Sequence, residues 1–371
     1  MEARPHCRGR RRLCRRSAMG ADPTLPGAFA ESARCHIDHR EASRGEQGLV
    51  GKRRGVVELN GSSHQSPGDS MMTTLIQLIG AQPLPNLLPW LHLKPDQTML
   101  IYTPQTDQVR QRIESVIGQC HSIRCDAYDI ESLVKALDAE LASQQNSDLI
   151  FNLTGGTKAM VLAANQVAMK RGALVVYLES ERTQNVLYEY RYDNQQKLRL
   201  QGKTLLPELI TIEQFLDAHI GKGQWQEAGP SKDIGGAFEQ AVADAIRARL
   251  SQAEVKQGIK FLGSDRRPQV DLDIVVRCGN QFARIECKSQ GKTTTLDAAK
   301  QLNLVSELLG TYTRKFIALS NDPNPEHQAV YEATRTTVIV LSSFSDTNLS
   351  DNDQQNLAKT IAQAIGCTLG E

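Results

Sequence analysis

Downstream of Met71 the apolar positions follow two rhythms. Compact β-branched or leucine-rich runs lie at residues 75–79, 98–102, 149–153 and 174–178. Between them, apolar residues recur at helical spacing over 85–92, 106–119, 130–143 and 157–171. Strands alternating with helices of this length predict βαβ units around a parallel sheet. Residues 186–191 and 197–200, separated by Asp193-Asn194, predict a β-hairpin closing that unit, with a helix at about 211–220. Residues 221–233 carry Gly, Pro and Ser without any period and are expected to be a linker. Beyond them the pattern predicts a helix over 236–250, strands at 255–261, 270–276 and 282–288, a helix over 296–309 and a strand at 315–319. The expected fold is therefore α/β throughout. A domain at 71–220 and a second at 234–371 would be joined by 221–233.

Length agrees with two domains, because 371 residues exceed the roughly 250–300 that one core supports. With 40% apolar and 23% charged residues, the composition is that of a globular protein. No apolar run approaches the roughly 18 residues of a membrane span. The formal charge of +1 is unevenly spread. Residues 1–70 hold 13 Lys+Arg against 8 Asp+Glu, leaving 30 against 34 for the rest. That first segment is expected to be a disordered or non-native extension, with a basic nucleic-acid arm as the alternative. Translation starting at Met71 or Met72 would account for it. The eight cysteines form no Cys-x-x-Cys pair and share no ligand spacing with histidine. Free thiols in a reducing cytoplasm are expected.

Two segments carry candidate chemistry. The first runs from Val270 to Lys288, with Gly279-Asn280 as a two-residue turn. Paired residue numbers then sum to 559, so Asp273 faces Glu286 and Asp271 faces Lys288. All four project from one face, and Leu272, Ile274, Ile285 and Cys287 from the other. Two facing carboxylates repel unless a cation separates them. Mg2+ or Mn2+ would suit such hard oxygen donors, and a neighbouring lysine could position water for phosphodiester hydrolysis. The alternative is a solvated hairpin face with an Asp271–Lys288 salt bridge. The second segment is Asn152-Leu-Thr-Gly-Gly-Thr-Lys-Ala-Met160, a strand end, a tight turn and a helix start. Gly155 and Gly156 allow close backbone approach, Thr157 can cap the helix, and Lys158 adds positive charge. A helix N-terminus at the C-terminal edge of a parallel sheet attracts phosphate. An ordinary capped turn is the alternative here.

Asp273 followed by Glu286-Cys-Lys288 across a short hairpin resembles the PD-(D/E)xK nuclease motif. Glu239, on the preceding helix, matches the additional acidic metal ligand of such nucleases. The resemblance implies a restriction-endonuclease-like α/β domain. Asp273, Glu286 and Lys288 would be its catalytic residues, and Asp273, Glu286, the Cys287 carbonyl and Glu239 would hold the metal. The Asn152–Met160 turn resembles a signature of CARF domains, Rossmann-like sensors of cyclic oligoadenylates in CRISPR systems. The loop around Leu78-Ile-Gly-Ala-Gln-Pro-Leu-Pro-Asn86 matches as a second piece. This resemblance implies ligand contacts at Gln82, Pro83, Asn86, Thr154, Gly155, Gly156, Thr157 and Lys158, with Gly80 and Thr103 as further candidates. Together the two halves resemble type III CRISPR effector nucleases switched on by cyclic tetra-adenylate. That family implies a homodimer, a DNA or RNA substrate, metal-dependent endonuclease activity, antiviral defence and a cytoplasmic setting. An unregulated repair or restriction nuclease and a non-catalytic nucleic-acid-binding regulator are the alternative functions.

Overall fold

A computed structural model describes residues 72–144, 147–263, 266–289, 308–310, 312–323 and 325–370. The expected N-terminal extension and most of the expected 296–309 helix lie outside these residues. Within the compact unit Pro67–Glu371, the described residues build two sheets.

The first sheet comprises β1 (Met72–Leu78), β2 (Gln97–Tyr102), β3 (His121–Arg124), β4 (Ser147–Asn152), β5 (Leu174–Glu181), β6 (Gln184–Tyr192) and β7 (Leu198–Leu205), in the order β3-β2-β1-β4-β5-β6-β7. The ladders from β3 to β5 are parallel, and β6 and β7 add antiparallel strands. Crossovers run through α1 (Leu84–Leu93), α2 (Asp107–Ile117), α3 (Ile130–Glu140) and α4 (Lys158–Arg171). The chain leaves β1 toward β2 on one side and returns to β4 on the other. The loops after β1 and β4 therefore flank the topological switch point, where open α/β sheets bind ligands. Strand β3 was not anticipated: it is a four-residue edge strand, His-Ser-Ile-Arg, too short to show alternation.

Helix α5 (Ile212–His219) leads into the second sheet, ordered β13-β12-β11-β10-β9-β8. Its strands are β8 (Trp225–Glu227), β9 (Glu254–Leu262), β10 (Pro268–Cys278), β11 (Gln281–Lys288), β12 (Arg314–Leu319) and β13 (Thr336–Val340). Its helices include α6 (Ile234–Arg249), α7 (Gln328–Ala333) and α8 (Asp351–Ile365). The expected linker is partly structured, because Trp225–Glu227 pairs with β9 as an edge strand. One apolar core joins both sheets. Leu75, Leu100 and Val176 of the first pack with Phe215 and Leu216 of α5 and with Ile259, Leu272, Val275 and Phe282 of the second. The rings of Phe215 and Phe282 stack at 3.8 Å. A further core lies under α6 and α8. There Cys278 and Cys367 meet as a disulfide with Cα atoms 5.5 Å apart, in place of the free thiols expected. The pairing joins the end of β10 to the segment after α8 across 89 residues, a separation that no local spacing signals. Cys120, Cys125 and Cys287 are free.

Candidate functional site

The β10–β11 ladder has the expected register: Ile274 pairs with Ile285, Val275 with Arg284, and Cys278 with Gln281. It then stops. Asp271 turns instead to β9, where it faces Lys260 at 3.7 Å, so the anticipated Asp271–Lys288 opposition does not form. The strands part because β10 continues along β9 while β11 continues along β12, where Glu286 pairs with Ile317 and Lys288 with Leu319. At the fork, the backbone N–H of Cys287 donates to Oδ2 of Asp273 at 2.7 Å. Lys288 Nζ donates to Oε1 of Glu286 at 2.7 Å. Leu272, Ile274, Ile285 and Cys287 are buried.

The electrostatics of this fork are strained. Burial, then the neighbouring Glu286 carboxylate, push the pKa of Asp273 up to about 8, against the pull of Lys288 and the Cys287 N–H. Glu239 is also raised, first by burial and further by Glu286, Asp233 and Asp271, with Lys288 opposing. Burial works against the charge of Lys288, but Glu286 and Asp273 outweigh it and its pKa ends above the usual lysine value. Burial pushes the Cys287 thiol well above its usual range, so this sulfur stays protonated. Among the described residues, no three His, Cys, Asp or Glu side chains converge at metal-binding spacing. What the structure brings together is the Asp273–Glu286 pair, with Lys288 bonded to Glu286 and Glu239 close enough to feel their charge.

At the switch point of the first sheet, the two expected loops touch each other. A Cβ on Gly155 would lie 2.2 Å from the carbonyl oxygen of Leu78, and one on Gly80 would lie 3.3 Å from the N of Gly156. Gly156 has φ +77°, which a side chain would strain. Thr157 caps α4 by accepting from the N–H of Met160 at 3.2 Å and donates its own hydroxyl to the carbonyl of Ala127 at 2.6 Å. Lys158, the first residue of α4, is exposed. Thr154 is occupied internally: its hydroxyl donates to Asn152 Oδ1 at 2.6 Å and accepts from the N–H of Leu178 at 2.8 Å. Asn86 is fully buried, with its amide donating to Leu78 O at 3.0 Å. Asn152 donates to Gln77 Oε1 and to Pro85 O, fastening the β4 loop to the β1 loop. Pro83 and Thr103 are buried. Gln82 is half-buried, lines a cavity with Thr154 and Leu178, and approaches Gly310, where a Cβ would lie 2.0 Å from its Oε1.

Sequence patterns did not indicate the polar junction between the two sheets. Asn280, at the β10–β11 turn, donates to Pro207 O at 2.7 Å and accepts from the N–H of Leu209 at 2.9 Å. Gln281 donates to Asn185 Oδ1 at 3.0 Å. Arg277, nearly fully buried, bridges Glu208 and Glu254 at 2.5 and 2.6 Å. A turn dipeptide such as Gly279-Asn280 signals the hairpin and nothing of the asparagine's distant partners.

Residues 74–213 match the family model described as the Card1 CARF domain, and residues 234–339 match a domain of unknown function, DUF4143. The structure is similar to Can2 from Sulfobacillus thermosulfidooxidans in complex with cyclic tetra-adenylate, at 16% identity and a TM-score of 0.60 over 79% of this chain and 99% of that one. It is similar to protein VC1899 from Vibrio cholerae at 12% identity and a TM-score of 0.58, over 80% and 98% of the two chains. It also resembles a type III CRISPR defence DNA nuclease activated by cyclic oligoadenylate, at 15% identity and a TM-score of 0.51, over 81% of this chain and 54% of the other. At these identities the likeness is one of fold. No curated protein matches this sequence. The first sheet and its helices are thus CARF-like, as the Asn152–Met160 turn led one to expect.

Proposed function

We propose that this chain is a metal-dependent endonuclease of CRISPR antiviral defence, switched on by cyclic tetra-adenylate. The observation that carries this reading is the fork of β10 and β11, where Asp273, Glu286 and Lys288 gather in the same compact body as a CARF-like switch point. The fold neighbours support it: one holds cyclic tetra-adenylate, and another is a DNA nuclease activated by cyclic oligoadenylate.

Cyclic tetra-adenylate would lie on the glycine turn at Gly155-Gly156, with the α4 N-terminus and Lys158 facing its phosphates. A homodimer would present two such edges to one ring. Thr154 and the Asn86 N–H act from beneath through the hydrogen bonds that shape the loops, with Pro83 buried beside them and Gln82 lining the cavity next to Thr154. The ligand changes activity only through unequal affinity for resting and active arrangements.

The donor set of the fork fits Mg2+ or Mn2+. It consists of hard carboxylate oxygens, and burial together with the neighbouring Glu286 charge lifts the pKa of Asp273 to about 8. Asp273, Glu286 and the Cys287 carbonyl would hold the ion, with Glu239 as an added donor. Such an ion would supply Lewis acidity toward the phosphoryl group and toward water. Lys288, anchored on Glu286, holds a positive charge beside the attacked phosphate and orients the incoming water. The Cys287 N–H fixes the rotamer of Asp273. The chain operates on DNA or RNA in the cytoplasm under this reading.

Cleavage of labelled DNA and RNA, with and without cyclic tetra-adenylate, in Mg2+ and in EDTA, tests the proposal. Glu286→Ala should abolish cleavage and leave activator binding at wild-type affinity. Lys158→Ala should weaken activator binding and raise the concentration needed for half-maximal cleavage. Undiminished cutting by Glu286→Ala would remove the fork from the mechanism.

A further inference from the structure

At the far end of the second sheet from the carboxylates, four cationic side chains line one open groove of about 700 Å3: Arg182, Arg314, Lys315 and Arg335. They come from three separate segments, the β5–β6 turn, the start of β12 and the turn before β13. Among the described residues no Asp or Glu lines the groove, whose other walls include Thr183, Thr337 and Gln363. Among the described residues, none of the four cations has a carboxylate partner. Arg182, Arg314 and Arg335 are exposed, and Lys315 is held in the wall by donating to Thr334 O at 3.1 Å. Burial, and then the nearby charges of Arg284 and Arg335, keep the pKa of Lys315 below the usual lysine value.

Arg284 pairs with Lys315 in the β11–β12 register, and Glu286 and Lys288 follow on the same face of β11. Two strand residues, about 7 Å, separate Arg284 from Glu286. Tyr312 stands two residues before Arg314 and is 59% exposed. A basic groove beside an exposed aromatic is the combination that grips single strands, the cations tracking phosphates and the ring stacking on a base. Exposed charges spread over three segments suit a chain of phosphates better than one enclosed nucleotide.

We infer that this groove binds the phosphodiester backbone of single-stranded nucleic acid and leads the strand to Asp273 and Glu286, with Tyr312 stacking on a base. The inference rests on the nuclease reading and supplies its substrate grip. It is tested by fluorescence anisotropy of the full chain with a labelled mixed-sequence DNA strand of about 16 nucleotides, in EDTA, across a salt series. Arg314→Ala with Arg335→Ala should weaken binding about 10-fold or more and flatten the slope of log K against log salt by about 1.4. Arg314→Lys with Arg335→Lys should restore most of both. Tyr312→Ala should weaken binding about 5-fold or more without changing the slope. Affinity and slope unchanged in the double alanine variant would overturn the assignment, as would equal displacement of the strand by ATP at the same phosphate concentration. Wild-type binding that depends on the groove, without cleavage in Mg2+ plus activator, would leave the groove standing and sink the nuclease reading instead.

Discussion

Asp273 is the residue whose chemistry is most out of balance. An aspartate in an unfolded chain titrates near 3.9, whereas burial beside Glu286 lifts this one to about 8. Between those values the folded protein holds a proton that the unfolded chain has lost. Stability therefore falls as pH rises from about 4 through about 8, then levels off. Asp273→Asn keeps an oxygen for the Cys287 N–H and removes the ionisation. Its thermal midpoint in EDTA should exceed that of wild type at pH 9, with the gap closing toward pH 4. A gap independent of pH would show that Asp273 titrates normally. Metal binding must expel the same proton, so added Mg2+ should raise the midpoint more at pH 8.5 than at pH 6. Gly155 is the matching residue in the other half. Its absent Cβ leaves room for Leu78 O, and Gly155→Ala should cost about 1–3 kcal/mol in urea unfolding and weaken activator binding with it. Wild-type stability in that variant would mean that the two loops are free to separate.

The element that links chemistry to sensing is the β10–β11 hairpin, with carboxylates at its open end and Asn280-Gln281 at its turn. Asn280 satisfies both Pro207 O and the Leu209 N–H on the segment leading out of the CARF-like sheet. Asn280→Ala removes the partner of that half-buried N–H and of the exposed carbonyl, a loss of about 0.5–1.5 kcal/mol for each hydrogen bond. Cyclic tetra-adenylate should still bind this variant with wild-type affinity but stimulate cleavage less. Full stimulation would exclude the turn as a route between the sites. Sequence periodicity was a sound guide to this element, since the sum of 559 holds from Ile274–Ile285 to Cys278–Gln281. It could not foresee that the ladder forks and sends Asp271 to Lys260, because that depends on which neighbour each strand pairs with next. Short edge strands were invisible for a related reason: β3 and β8 have four and three residues, too few for a period. Nor does a linear pattern separate an amide group offered to ligand from one spent on backbone, as the side-chain N–H of Asn86 is.

Across the whole molecule, the CARF-like sheet and the second sheet are not beads on a string. Phe215 of α5 stacks on Phe282 of β11, and Ile259, Leu272 and Val275 share a core with Leu75, Leu100 and Val176. Buried Arg277 adds an ion pair to Glu208 across the same junction, while Glu254 of its own sheet holds it in place. Neither sheet can unfold without exposing apolar surface of the other, so calorimetry should show one transition for the body. A ligand that binds only the folded state raises the midpoint of whatever unfolds with its site. Cyclic tetra-adenylate should therefore raise the midpoint of the entire transition, although it touches only the CARF-like edge. Phe282→Ala removes the central ring of the shared core and should lower stability by about 3–5 kcal/mol. With its coupling weakened, the variant should show a broadened or split transition of which only the first sheet's part responds to the activator. Two separate transitions in the wild-type protein, with one of them indifferent to cyclic tetra-adenylate, would mean that the shared core does not couple the sheets. Activation would then need a route outside this interface.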